Sequence, residues 1–472
     1  MQKLARLFLC TVLVVAAFGF LPVTQASAES YPSYVSGITM VNLSSSPATV
    51  TIDYIVGGEG ATAGDVFDTG NETIAGNAVV DYAAVPVNNF QGSVVISSSQ
   101  PIAAMSTLTG GGVARGSYGG SSTGSNTLTL PFLAKNHGSG KWNTFFAVQN
   151  IGDVPTTVRV NYAACPAAVD AEKVVQPKSS VIFDQSTTAC LPNGITSAVV
   201  TSTTTDILAV VDQESTVTNT ALVSTSFAGG SPSIAIPLVN ANNPNVNGWR
   251  TAITIMNVGN QQTTVKLTYK RTDGSTCTET QTIPAQGNRV FAGATLQVGP
   301  AAGVQSTCPV GARLIGAAYI ATAADNSTNQ PLVATVNQDR AGFASAYGSF
   351  NPAVGTPKVV MPLIMDNNGN GNWGTSFNVM NVGDTPVYVR CTFANSSYVV
   401  QRGPLAKYDV FEDLHRGLLG GVKITSAQCT AYTSAAYNTV ATNGKIVAVV
   451  NERANTPTGD GLLTYEAINV QP

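Results

Sequence analysis

Apolar and polar positions alternate along most of the chain, and the alternation repeats itself. Three phrases share one spelling: Trp142-Asn143-Thr144-Phe145-Phe146-Ala147-Val148-Gln149-Asn150, Trp249-Arg250-Thr251-Ala252-Ile253-Thr254-Ile255-Met256-Asn257 and Trp373-Gly374-Thr375-Ser376-Phe377-Asn378-Val379-Met380-Asn381. Tyr34 to Asn42 is a degenerate first copy, and the aromatic-to-Asn interval is eight residues in all four. Successive copies begin 108, 107 and 124 residues apart, the spacing of a repeated small domain. Trp142, Thr144, Phe146 and Val148 share one face, as do Trp249, Thr251, Ile253 and Ile255, then Trp373, Thr375, Phe377 and Val379, then Tyr34, Ser36, Ile38 and Met40. The positions between them are mostly small or polar. Each phrase therefore predicts a strand with one buried face, its leading aromatic a core anchor. The Asn opens a turn, with Gly152, Gly259 and Gly383 two residues on, because both residue types tolerate turn backbone angles. A second alternating set follows at Val50/Ile52/Tyr54, Val158/Val160/Tyr162, Val265/Leu267/Tyr269 and Val389/Cys391/Phe393, completing a hairpin.

More strands follow in each copy. In the second they are Ser180–Phe183, Ser197–Thr201 and Ile207–Val211, the last with counterparts at Ile102–Met105, Leu332–Val336 and Ile446–Val450. An aromatic then recurs, at Tyr118, Phe227, Tyr347 and Tyr465, and Xaa-Pro strands follow three copies at Leu130-Pro131, Ile236-Pro237 and Met361-Pro362. About seven short strands per roughly 100 residues predict an immunoglobulin-like β-sandwich; a closed barrel per repeat is the alternative. The expected fold is all-β: four tandem immunoglobulin-like sandwich repeats at residues 29–130, 131–235, 236–360 and 361–472, after a leader at 1–28.

The leader reads as a cleaved secretory signal. Lys3 and Arg6 precede an uncharged run from Leu7 to Leu21, Pro22 breaks it, and Ala26-Ser27-Ala28 is a small-x-small cleavage site. Cys10 sits inside the run as filler. No later segment is apolar enough to span a membrane. The 23 Lys+Arg against 26 Asp+Glu give a net charge of −3, which excludes a nucleic-acid binder relying on a basic surface. Charged residues are only 10% of the chain, against ~25% in an average soluble domain. Ser, Thr, Asn, Gly and Gln must cover the surface, which suits an extracellular protein.

Six cysteines remain after the leader, none in the first copy and two in each of the others. The expected bridges are Cys165–Cys190, Cys277–Cys308 and Cys391–Cys429, and an oxidising exterior agrees with the leader. In the second and third copies both cysteines fall outside the core positions of the strands. In the fourth both move inward: Cys391 replaces a core position held by Val160 and Leu267, and Cys429 aligns with Val200. Two sites that shift together are bonded together.

Motifs that suggest chemistry lack their context. Gly120-Ser121-Ser122-Thr123-Gly124 spells a nucleophile elbow but lies in a Gly/Ser linker without strand and helix. Gly138-Ser139-Gly140-Lys141 is too short for a phosphate loop. His137 and His415, the two histidines, read as solvated. Asp366, Asn368 and Asn370 fit the opening of a calcium loop, but Phe377 stands where the bidentate Glu belongs; a tight turn is the alternative. Sugar stacking by the tryptophans stands against their place on the buried face.

The Xaa-Pro strand, the Asn/Gly loop and W-x-T-x-[FI]-x-[VI]-x-N-x-G, at Pro131–Gly152, Pro237–Gly259 and Pro362–Gly383, together resemble tandem immunoglobulin-like β-sandwich repeats of bacterial secreted and cell-surface proteins. The first copy departs from this, with Tyr34 for Trp, Ser44 for Gly and no Xaa-Pro strand before it. The resemblance implies adhesion or a matrix role and carries no catalytic residues. The expectation is a secreted, non-enzymatic structural or adhesive protein without cofactor, a filament or sheath subunit. A carbohydrate-binding ectodomain is the alternative. Expected partners are surface glycans or proteins, or the chain itself head to tail. In that last case each Xaa-Pro segment closes one sandwich and opens the next. The first sheet of the first copy then has an open edge, and Tyr465–Pro472 is a spare strand.

Overall fold

The computed structural model describes residues 8–12, 33–88, 90–165, 172–245, 247–292, 296, 299–321, 323–455 and 457–470. Lys3, Arg6, Pro22 and the Ala26-Ser27-Ala28 site lie outside them. The first copy of the repeat holds β1 (Phe8–Val12), β2 (Tyr34–Asn42), β3 (Ala48–Val56), β4 (Val66–Ile74), β5 (Val79–Tyr82), β6 (Gly92–Ser98), β7 (Ile102–Gly110) and β8 (Ala114–Gly119). The second holds β9 (Thr127–Lys135), β10 (Asn143–Asn150), β11 (Thr156–Tyr162), β12 (Lys173–Val175), β13 (Ser180–Asp184), β14 (Gly194–Ser202), β15 (Ile207–Ser215) and β16 (Thr220–Thr225). The third holds β17 (Ile234–Ala241), β18 (Arg250–Asn257), β19 (Thr263–Arg271), β20 (Thr276–Ile283), β21 (Asn288–Ala292), β22 (Gln305–Ser306), β23 (Leu314–Ile320), β24 (Leu332–Arg340) and β25 (Phe343–Gly348). The fourth holds β26 (Lys358–Asn368), β27 (Trp373–Asn381), β28 (Val387–Phe393), β29 (Val399–Leu405), β30 (Val410–Leu414), β31 (Ile424–Tyr432), β32 (Ile446–Ala454), β33 (Leu462–Glu466) and β34 (Ile468–Val470).

The chain divides into two compact units, Met1–Ala228 and Gly229–Pro472, both built from antiparallel sheets. In the first unit the sheets run β1-β6-β3-β4, β5-β2-β7-β8, β12-β11-β14-β9 and β13-β10-β15-β16. In the second they run β17-β23-β19-β20-β22 and β21-β18-β24-β25, while the fourth copy forms one nine-stranded sheet. That sheet is continuous because the end of β26 turns to pair Asp366 and Asn368 with Gly374 and Trp373 of β27.

Two layers of strands enclose each core, and in the fourth copy both layers belong to the one continuous sheet. In the second copy Phe146 and Val148 of β10 meet Val158, Val160, Val200 and Val211. In the third, Ile253 and Ile255 of β18 meet Val265, Leu267, Ala318 and Val336.

The repeated Asn explains itself in three dimensions. Asn42, Asn150, Asn257 and Asn381 are at most 1% exposed. Each amide nitrogen donates to the carbonyl four residues on, at Ser46, Val154, Gln261 and Thr385 (2.6–3.0 Å). It also donates to the last carbonyl of a strand in the opposite sheet, at Ile74, Val175, Ile283 and Leu405 (2.8–3.4 Å). The amide oxygen accepts the N–H two residues on, from Ser44, Gly152, Gly259 and Gly383, at 2.9 Å in all four. None of these Asn residues, nor Gly152, Gly259 or Gly383, has positive φ, so turn angles are not what selects them. Gly152 is there for space: a Cβ would lie 2.4 Å from Thr205 Cγ2. The Thr of the phrase has a repeated task as well. Thr144, Thr251 and Thr375 accept the N–H of Ala134, Asn240 and Met365 on the strand after the proline (2.7–2.9 Å).

Three expectations need correction. The phrase strands are buried on both faces. Phe145 and Ala147 of β10, with Val210 and Val223, pack against Tyr34, Leu108 and Tyr118 of the first copy, and the Tyr34 hydroxyl donates to Glu214 at 2.8 Å. In the second unit Met380, Val382 and Val447 likewise pack on Ala235 and Ala317, beside a Tyr319–Tyr408 stack with centroids 4.1 Å apart. Secondly, the Xaa-Pro strand is not divided between copies. Thr127–Leu130 and Leu133–Lys135 both pair with β14, and the proline sits at an irregularity in the register. The spare C-terminal strand is likewise engaged, since Ile468–Val470 pairs with Lys358–Val360. Thirdly, Phe227 is not the counterpart of the recurring Tyr. Ser224 stands opposite Val211 as Tyr347 stands opposite Val336, while Phe227 bridges Thr129 as Phe350 bridges Ala235.

The Asn bracket yields a prediction. Asn150→Ala orphans two buried carbonyls and an amide, each at roughly 1–3 kcal/mol. Asn150→Asp keeps the shape but turns an oxygen toward both carbonyls, and it should cost at least as much at neutral pH. Denaturant midpoints of the two variants check this; near-wild-type midpoints would contradict the role given to Asn150.

Candidate functional site

Three disulfides staple the second, third and fourth copies: Cys165–Cys190, Cys277–Cys308 and Cys391–Cys429, with Cα separations of 6.0, 4.9 and 4.0 Å. Cys391 and Cys429 face each other across β28 and β31, the register at which Val160 faces Val200. Cys165, Cys277 and Cys308 are also buried and belong to the apolar cores. The expectation that the cysteines of the second and third copies lie outside the core is thus corrected, with Cys190 alone exposed.

The tryptophans sit elsewhere than expected. Tyr34 is 1% exposed and in the core, but Trp142, Trp249 and Trp373 are half-buried. Each stands where the Xaa-Pro strand turns back, Trp142 bridged to His137, Trp249 to Asn243 and Trp373 paired with Asn368. The indole of Trp142 lies over Gly140 and that of Trp373 over Gly371, where an added Cβ would stand 2.6 Å from Nε1 in both. Trp249 packs on Phe343, centroids 5.7 Å apart. The phrase places its aromatic at the rim of the sandwich and leaves the core to the next residues on that face.

The calcium-like loop is a β26–β27 hairpin. Asp366 is 3% exposed. Its carboxylate accepts the N–H groups of Gly417 (2.6 Å) and Leu419 (3.1 Å) and the Asn367 side chain (3.0 Å). That charge is committed to anchoring the 417–419 turn. Asn368 donates to the Met365 sulfur, and Asn370 lies in the exposed tip. Gly120–Gly124 joins β8 to β9, with Ser121 bonded to Thr123 within the linker.

His415 is not solvated, as the sequence suggested, but fully buried. Its Nδ1 meets Asp413 at 3.2 Å, and the rings of Phe377, Phe393 and Tyr398 surround it at 4.9–6.2 Å. Tyr398 donates to the same carboxylate. His137 is half-buried in the β9–β10 turn, and desolvation holds its imidazole below its ordinary value.

The alternation gave no warning of the buried carboxylates. Glu452 of β32 is wholly buried and accepts the Thr375 hydroxyl at 2.5 Å. Burial pushes its carboxyl up to about 8, against a smaller opposing pull from hydrogen bonds and Arg416. Glu466 of β33, also raised by burial, accepts the N–H of Gly348. Glu279 accepts from Tyr269, Gln281 and the amide of Ala292 at 2.7–3.0 Å. Glu452 and Glu279 are sealed from solvent and Glu466 is partly exposed, and all three act as acceptors that join strands. Among the described residues no three His, Cys, Asp or Glu side chains gather as a metal site.

No protein-family model and no curated protein matches the chain. Among solved structures, "Crystal Structure of Thermotoga maritima 1070" matches at 14% identity over 22% of this chain and 95% of that chain, with a TM-score of 0.20. A likeness that shallow carries no argument.

Glu452 gives a pH dependence. The folded carboxyl binds its proton more tightly than the unfolded one, so its contribution is fully present below the ordinary value near 4.5 and is lost as pH rises through about 8. The second unit should lose stability across that window, and Glu452→Gln should flatten the loss. Glu466 leaves a residue of the same sign. Denaturant midpoints at pH 5 and pH 8.5 test it, and an unchanged pH slope in the variant would refute it.

Proposed function

We propose that this chain is a secreted structural or adhesive protein of the cell surface or extracellular matrix, without catalytic activity of its own. It consists of four tandem immunoglobulin-like sandwich repeats behind a leader that is removed. The observation that carries this reading is the set of three disulfides, one in each of three copies, since such bridges persist in oxidising compartments. Sparse surface charge supports it, and among the described residues no helix is long and apolar enough to cross a membrane. Head-to-tail growth through the C-terminus is less favoured, because β34 would have to leave β26. A filament or sheath needs another contact.

Carbohydrate binding is the second reading, favoured by one observation: the partly exposed Trp142 and Trp373 at the sandwich rims. The secreted protein, imaged by electron microscopy and applied to a glycan array, separates the two. The structural reading expects surface-bound or assembled protein and a blank array. Glycan signal that disappears in Trp142→Ala and Trp373→Ala, with the melting temperature kept, would replace it with the second.

A further inference from the structure

We propose that the β6 edge of the first copy is a strand-acceptor site, and that its ligand in the processed protein is an extended, uncharged, apolar peptide strand of another polypeptide. The proposal rests on the reading of residues 1–28 as a removed leader.

The four copies supply the comparison. In the last three, the sheet holding the second alternating set is completed by an Xaa-Pro strand: β9 on β14, β17 on β23 and β26 on β31. The first copy has no such strand in its sequence. Its place on β6 is taken by β1, with Phe8 opposite Ser98, Cys10 opposite Ile96 and Val12 opposite Val94. The register is the same as in the second copy. Ile96 pairs across to Ile52 as Val200 pairs to Val160, and Cys10 therefore stands where Leu128 stands opposite Val200. A segment of the leader holds the seat of a missing structural strand.

The seat defines its occupant. In the second unit the corresponding strand is covered on both faces. Ile236 belongs to its own core, and neighbouring Ala235 packs with Met380 and Val447 of the docked copy. The seating residues are accordingly closed on both sides: Leu128, Thr129 and Leu130, Ile234, Ala235 and Ile236, and Val359, Val360 and Met361 are all at most 2% exposed. None of them is charged, and neither is any residue of Phe8–Val12. The second copy stands beside β6 in the same way, with Ser93 donating to the Lys178 carbonyl at 2.5 Å and Ser179 to the Val56 carbonyl at 2.6 Å. A strand in this slot needs apolar side chains on both faces, which an ordinary half-polar edge strand lacks.

The first copy also lacks the lock that the third and fourth copies place on that strand. Tyr347 and Tyr465 hydroxyls each bond both the carbonyl and the N–H of the residue after the proline, Leu238 and Leu363. Their counterpart Tyr118, placed opposite Ser106, bonds the Ser106 side chain instead. Pairing with β6 is the hold that the structure gives this strand, as it would be for an exchangeable ligand. Within the chain the described C-terminal strand is already committed to β26, so the donor is a different polypeptide.

The test uses the secreted protein, its N-terminus read by mass spectrometry, and two synthetic peptides. One carries Leu7–Leu13 with a lysine tail for solubility, and the other is the same with Cys10→Asp. The first should raise the melting temperature by several degrees and slow amide exchange at Val94–Ser98. The charged peptide should bind at least tenfold more weakly. If exchange at Val94–Ser98 and the melting temperature are unchanged at saturating peptide, the site is overturned. If the N-terminus proves to be retained, the leader reading fails by itself. The seat is then judged by comparing exchange at Val94–Ser98 in the full chain and in a chain begun at residue 29, where equal protection overturns it.

Discussion

Each copy hangs on one buried amide. A sandwich needs its two sheets held at a fixed register, but apolar side chains across a core are tolerant of sliding. The Asn closing each phrase strand is not. Its three bonds reach its own turn and the end of a strand in the other sheet, and an amide buried without them is heavily penalised. That requirement fixes where the strand carrying the Asn stops, where the fourth strand of the copy stops, and how the turn after the Asn leaves. The same geometry recurs in all four copies although much of the core around it differs, Ile38, Phe146, Ile253 and Phe377 holding one shared position. This is how a polar group confers uniqueness that packing alone does not.

The second constraint follows from the strand that carries the Asn. Phe145 and Ala147 point away from the core that Phe146 and Val148 fill, and a sandwich alone leaves them in water. Docking of the first copy covers them. The second unit meets the same requirement with a mixed contact: Met380 and Val447 against Ala235 and Ala317, and a polar patch in which Gln338 donates to Asn451 and Thr464. The copies are thereby coupled in pairs, and a pair is the smallest piece of the chain that hides both faces of its central strands.

Much of the architecture was legible because period two and a fixed aromatic-to-Asn interval are local signals. Periodicity names a face but not a depth, so it assigned Trp142 to the core when the rim holds it and Phe146 carries the packing. It also read Phe145 and Ala147 as an outer face, since docking between copies leaves no mark within one strand. The inward shift of Cys391 and Cys429 was visible because the copies act as one another's alignment. The buried acids were invisible for the converse reason. Glu452 stands where the second and third copies have Gln213 and Gln338, and a carboxylate in a string of polar residues looks solvated until Thr375 and the surrounding strands close over it.

The first copy departs from the other three at several points, and the departures share a physical origin. It lacks the Xaa-Pro strand, no cysteine pair staples it, and its Tyr118, unlike Tyr347 and Tyr465 of the third and fourth copies, has turned to Ser106. A free-standing sandwich with these omissions would lose both a covered edge and a cross-link. It is held instead from outside. Tyr34 reaches Glu214, Gly58 donates to the Ser180 carbonyl at 2.7 Å, and Gly116 leaves room for Val223, which a Cβ would meet at 2.0 Å. The docked second copy therefore supplies order that the first copy does not generate internally. A sandwich stabilised by its neighbour can take one strand from outside the repeated pattern, and β1 holds that place on β6.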